Sequence, residues 1–283
     1  FMRKRNSFIS VLTMFLAIGF VIIFSKPVKA AANGIILKAN RTYTAYDVTG
    51  DGMKDKIRIR AANQTDDETY TSLTVSVNGK TAYRLKNTRF YNVIANIYTL
   101  KNGQPFLYLY APADNGDGPV CALLKYTNGK FRKALDFTEI MAGYGNHRIG
   151  EVTNLNGNKI VITESIVSYS LGINAINFTY KYVNGKFVPT SRYGSYKEIY
   201  SADGSSRYFT VNSDLPAYTR PGATAVNTTL KTGSLTKIIK CALINGKMYI
   251  QLECDGEIYW IKALENPPIA DNERQFMEVR YAG

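Results

Sequence analysis

The chain reads as all-β outside its first thirty residues, and three observations predict this. Tyrosine and phenylalanine are abundant, 21 and 13 of 283 residues, and sit in short alternating runs that suit a pleated sheet. Asn-Gly and Asp-Gly pairs punctuate those runs, and they tolerate the positive φ values that two-residue hairpin turns demand. No long stretch carries apolar residues at helical spacing.

The first thirty residues stand apart. Arg3, Lys4 and Arg5 precede an apolar run over 8–24, and Val28 and Ala30 place small residues where a signal peptidase reads. The pattern predicts a secretory signal peptide over 1–30, cleaved after Ala30. The apolar run is short for a spanning helix, which needs about 20 residues. The expectation is a secreted, extracellular chain with no membrane association after cleavage. Loss of this segment removes five basic and no acidic residues, and the net charge falls from +13 to +8. Such a surface favours anionic partners, wall polymers or acidic lipids among them. Nucleic acid is not expected, because no basic helix or recognition motif is present. Cys121, Cys241 and Cys254 are too few for a disulfide scaffold. A hairpin at Asn245-Gly246 sets position 241 opposite 250, so Cys241 and Cys254 are out of register for a bridge. Buried free thiols are expected.

The turn pairs recur. Asp51-Gly52, Asn102-Gly103 and Asn156-Gly157 lie 51 and 54 residues apart, and each precedes an apolar strand. Asn78-Gly79, Asn128-Gly129 and Asn184-Gly185 lie 50 and 56 apart, in the matching contexts VSVNGKTAYRL, KYTNGKFRKAL and KYVNGKFVPTS. Residues 31–195 therefore read as three units of about 50 residues, each an antiparallel meander of roughly four strands. Unit size and turn chemistry resemble a β-propeller blade. Three blade-like units are few for a closed ring, so a propeller-like arrangement, an open fan, borrowed strands and a sandwich all stay open.

The first unit opens with DVTGDGMKDKIRI, residues 47–59. Asp47, Thr49, Asp51, Gly52 and Asp55, followed by Ile57 and Ile59, resemble the calcium loops of FG-GAP and VCBS repeats. The resemblance implies a structural calcium ion held by Asp47, Thr49, Asp51 and Asp55 with the Met53 carbonyl. Calcium takes six to eight hard oxygens, and alternate side chains of a tight loop can supply several of them. Asp-Gly pairs also make plain turns, which is the competing reading. The other two units lack the acids, and DNGDG at 114–118 reads as a loop.

Residues 196–208 are polar and turn-rich and read as a linker. Over 209–263 the order of Leu215, Pro221-Gly222, Leu230-Lys231-Thr232-Gly233, the strand 248–252 and Gly256-Glu257-Ile258-Tyr259-Trp260-Ile261 resembles a bacterial SH3 (SH3b) domain. The resemblance implies a small SH3-like barrel over 209–283 and association with cell-wall peptide. It points to Tyr218, Tyr249, Tyr259 and Trp260 as an aromatic ligand groove. Tyr259 stands where the family has glycine. Tyr249 and Trp260 also suit a barrel core.

No catalytic constellation stands out. His147 is the lone histidine, no nucleophile elbow is present, and zinc-ligand spacing is absent. Acid pairs such as Glu151 and Glu164 are not singled out by spacing. The function expected is that of a non-enzymatic secreted bacterial protein, bound to peptidoglycan or an anionic wall polymer through its SH3-like part. A wall hydrolase or accessory subunit and an adhesin-like protein binder are the alternatives.

Overall fold

The computed structural model describes residues 35–65, 67–114, 117–201 and 204–281. The expected signal peptide, 1–30, lies outside the described residues. Among the described residues the chain is all-β and antiparallel, and no helix is long and apolar enough to cross a membrane.

Strands β2 (Arg41–Tyr46), β3 (Asp55–Gln64), β4 (Tyr70–Val77) and β5 (Lys80–Phe90) form a four-stranded sheet in chain order. Strands β6 (Ile94–Thr99), β7 (Pro105–Ala111), β8 (Val120–Thr127) and β9 (Lys130–Asp136) form the next, with β1 (Ile35–Leu37) added at the β6 edge. A third run begins with β10 (Gly145–Asn156), β11 (Lys159–Ser168), β12 (Gly172–Val183) and β13 (Lys186–Pro189).

Turn chemistry sets these hairpins. Asn78-Gly79, Asn128-Gly129 and Asn184-Gly185 each join the last two strands of a run. Both residues of each pair have positive φ, from 48° to 88°, as a type I′ turn requires. The other series joins the first two strands of each run. At Asn156-Gly157 the turn is displaced by one residue: Asn156 pairs with Lys159, so Gly157 and Asn158 are central and only Gly157 has positive φ.

The sheets stack in three layers. The middle sheet buries both faces, which is why PFLYLYA in β7 is an unbroken apolar run. Leu107, Leu109, Ala122 and Leu124 pack with Ile57, Ile59, Leu73 and Val75 of the first sheet. Phe106, Tyr108, Tyr110, Cys121 and Leu123 face the third sheet, against Ile160, Ile162, Phe178 and Phe187.

The third sheet does not end at β12. It continues through β14 (Tyr193–Ser201) to β19 (Leu235–Ile244), β20 (Lys247–Cys254) and β21 (Glu257–Lys262). Residues 196–201, read from sequence as part of a linker, belong to β14, which pairs with β12 on one side and β19 on the other. Gly194 and Tyr196 are buried between exposed neighbours, and burial resumes out of phase at Ile199 after a bulge at Lys197. β15 (Gly204–Ser205) pairs with β14 and β16 (Tyr208–Thr210) with β19, and a short pair, β17 (Leu215–Ala217) with β18 (Thr228–Leu230), meets β21 through a bridge between Tyr218 and Trp260. Among the described residues no sheet closes into a barrel or a propeller. Cys121, Cys241 and Cys254 are free and buried, with Cys241 opposite Ile250 and Cys254 opposite Thr236, the expected register.

Gly194 sits at the seam. A Cβ there would lie 2.5 Å from Phe178 Cε1 and 2.7 Å from Ile176 Cγ2. Gly194→Val is expected to cost about 1–3 kcal/mol by overpacking. Strand content by circular dichroism and the fluorescence of Trp260 should melt together and shift together. A Trp260 transition that the substitution leaves unmoved would show the C-terminal strands fold independently of the seam.

Candidate functional site

The aspartate loop joins β2 to β3, and its carboxylates face its own backbone. Asp47 accepts from the amides of Gly50 at 2.6 Å, Gly52 at 2.7 Å and Asp51 at 3.2 Å, and from the Thr49 hydroxyl at 3.2 Å. Asp51 accepts from the Met53 amide at 2.8 Å. Asp55 is buried at the start of β3 and accepts from the amides of Val48 at 2.7 Å and Thr49 at 2.9 Å, and from Asn78 Nδ2 at 2.6 Å. Partial desolvation pushes the Asp47 carboxyl up, but the Gly52 and Gly50 amides, Thr49 and the Asp51 amide together hold it below its usual range. Gly50 and Gly52, at φ +80° and +86°, let the amides turn inward. As arranged, these carboxylates are engaged by the loop's own amides and hydroxyl. Among the described residues no three acidic, histidine or cysteine groups are placed to hold a metal.

The four aromatic residues proposed from sequence divide between two faces. Tyr218, Tyr249 and Trp260 are 6%, 5% and 4% exposed and pack with Ala242 on the outer face of the third sheet. Tyr259, next along β21 from Trp260, points inward and packs on the main core. The four therefore share no groove.

A fifth aromatic, not singled out in the sequence, completes the outer cluster. Tyr193 of β14 is 37% exposed, its ring centroid 5.9 Å from that of Trp260. Lys240 Nζ lies 4.7 Å from the Tyr193 centroid, the Arg192 guanidinium 5.4 Å, and Lys262 Nζ 5.1 Å from that of Tyr218. Cross-strand register aligns Asn177, Ser195, Lys240, Gln251 and Trp260 in one row over five strands. Alternation in YGSYKEIYS is the signal that could have found β14 and hence Tyr193.

No family model, curated protein or solved structure matches the chain.

Two further groups lie between the layers. Glu164 of β11 is fully buried beneath Phe137 and Gly150, and neither carboxyl oxygen has a hydrogen-bond partner among the described residues. Burial pushes its pKa far up; Arg148 pulls down more weakly, and Asp136 pushes up. The Arg148 guanidinium is itself spent on the carbonyls of Thr138 and Gly145. Glu164 is therefore a neutral acid in the core. Glu151 pairs with Thr163, the neighbour of Glu164, so the two acids lie on opposite faces of the sheet and cannot form a catalytic pair. The Cys121 thiol is pushed up to about 12, by burial first and then by Glu164, which makes it a poor nucleophile. His147 Nδ1 lies 3.1 Å from Asp117 in the acidic loop, an ion pair when the imidazole is protonated.

Two outcomes follow from these geometries. Asp55→Ala, measured with a metal chelator present, should lose about 2–3 kcal/mol in urea unfolding, because buried amides lose their acceptor. Asp51→Ala should stay within about 0.5 kcal/mol. The second outcome concerns Glu164, whose folded pKa is raised above its ordinary value of 4.5. Between those values the folded state keeps a proton that the unfolded state releases, so stability is full below about pH 4.5 and falls by about 1.4 kcal/mol per pH unit above it. Glu164→Gln should abolish that slope in unfolding titrations across pH, leaving the variant increasingly favoured over wild type as pH rises.

Proposed function

We propose that the chain is a secreted bacterial binding protein, held at the cell surface by its C-terminal region through peptidoglycan or an anionic wall polymer. In this reading residues 31–195 are three blade-like repeats in an open fan. Residues 209–263 are an SH3b-type module whose first edge is completed by β14. The three strand runs, with turns at equivalent places, support the repeat. Leu215, Pro221-Gly222 and the β19–β21 strands come in the order that the SH3b resemblance requires.

The observation that carries the binding function is charge. Arg192, Lys240 and Lys262 surround the outer aromatic cluster, and none has a carboxylate partner within 4 Å among the described residues. Cations left unpaired beside exposed aromatic surface are free to meet an external anion. Calcium belongs to this proposal as a structural ion that would replace the internal hydrogen bonds of Asp47, Thr49, Asp51, Met53 and Asp55. A midpoint raised by excess calcium and restored by chelator supports it; equal midpoints remove it.

The full chain should be retained by purified wall material carrying its anionic polymers. Retention should fall as salt rises from about 0.1 M to 1 M, over which screening shortens from about 10 Å to 3 Å. Failure to bind at low salt would end the surface-binding reading.

A further inference from the structure

We propose that the outer face of the third sheet around Tyr193 is a binding site for a linear anionic glycan. This rests on the surface-binding reading above and narrows it to one ligand class and one place. The site is not the groove expected from the SH3b resemblance: its central ring comes from β14, and it spans the seam between β12 and β19.

Three features of the face select this ligand. The first is stacking. Tyr193 is 37% exposed beside the buried Trp260, and Lys240 and Arg192 are the cations that lie over its ring. Sugar rings present C–H faces that pack on exposed aromatic surface, and the Trp260 ring beside Tyr193 helps to hold it in place. The second is polar spacing. Asn177, Ser195, Lys240 and Gln251 occupy adjacent strands in register, so their outward groups repeat at about the 4.8 Å strand spacing. That interval is close to the length of one hexose unit in an extended chain. Thr163 donates to the Asn177 carbonyl oxygen at 2.7 Å, which leaves the Asn177 amide nitrogen free to donate to a ligand hydroxyl or carboxylate. The third is charge. Arg192 and Lys240 flank the ring and lack acidic partners among the described residues, so a neutral sugar leaves both cations unused.

An anionic membrane is the rival occupant. Its headgroups satisfy the cations, but the large rings nearest the site, Trp260 and Tyr218, are buried instead of protruding for insertion. The polar row beside Tyr193 has no use against acyl chains. A bare polyanion satisfies the charges but leaves the ring without a partner.

Binding of the full chain is measured at low salt to four probes: polygalacturonate, dextran, inorganic polyphosphate and phosphatidylglycerol vesicles. Polygalacturonate, with rings and carboxylates, should bind most tightly; dextran and polyphosphate should bind at least about tenfold more weakly, the factor expected when roughly 1.4 kcal/mol of stacking or pairing is missing. Tyr193→Ala and Lys240→Gln should each weaken polygalacturonate about tenfold, and Tyr193→Phe should restore it. Because Tyr193 and Lys240 are surface side chains, the thermal midpoint of each variant serves as its folding control. If wild type binds polygalacturonate and Tyr193→Ala binds equally, the site is wrong while the surface-binding reading stands. If polyphosphate matches polygalacturonate, or vesicles outcompete it, the ligand class is wrong. If wild type binds wall material but none of the four probes, the anionic-glycan assignment is overturned; if it binds neither, the underlying reading falls with it.

Discussion

Burial of the middle sheet on both faces is the constraint on which the other layers depend. The first sheet can hide Ile57, Ile59, Leu73 and Val75 only against Leu107, Leu109, Ala122 and Leu124. The third sheet has the opposite faces of the same strands as its partner. Each large apolar side chain buried this way contributes about 1.5–3 kcal/mol. Because β7 serves both contacts, loosening it weakens two cores at once. The aromatic side of that interface is also pinned by polar contacts. Tyr108 donates to the Gly150 carbonyl at 2.8 Å, so its hydroxyl is satisfied while its ring fills the core. Glu164 lies across the same interface without partners, a polar group whose neutrality the packing enforces.

The seam at β14 explains why a chain built from short hairpins carries so wide a sheet. Gly194 permits close approach of Phe178, and Tyr193 to Ser195 pair with Ala242 to Lys240. With β14 in that position, β19 has a neighbour on each side. The outer face thereby becomes a continuous surface to which strands on both sides of the seam contribute.

Strand positions were legible where a single physical requirement dominated. Type I′ turns need positive φ at two residues, so Asn78-Gly79, Asn128-Gly129 and Asn184-Gly185 marked hairpins without ambiguity. The FLYLY run was legible as an apolar strand, and the structure adds that both of its faces are buried. Residues 196–208 misled because their composition is polar and a bulge at Lys197 breaks the two-residue alternation of β14. In the aspartate loop, residue types and spacing were legible, but not where the carboxylates point. The same acids serve either an ion or the loop's own amides, and the choice depends on backbone detail. Tyr259 and Trp260 illustrate a simpler rule: adjacent residues of one strand cannot line one groove. Tyr193 escaped notice because its partner Trp260 is 67 residues away and reaches it only through strand pairing.

β1 fastens the first layer from its N-terminal side. It pairs with β6 in the middle sheet, with Ile35 opposite Ile97 and Leu37 opposite Ala95, while β2, beginning at Arg41, belongs to the first sheet. The first meander is therefore tethered covalently to the middle layer at both of its ends. Tension entering from the N-terminal side meets the β1–β6 ladder before it reaches any other sheet. That ladder, three residue pairs long, is therefore the first contact such a load meets, ahead of the packing of β2 to β5 on β6 to β8.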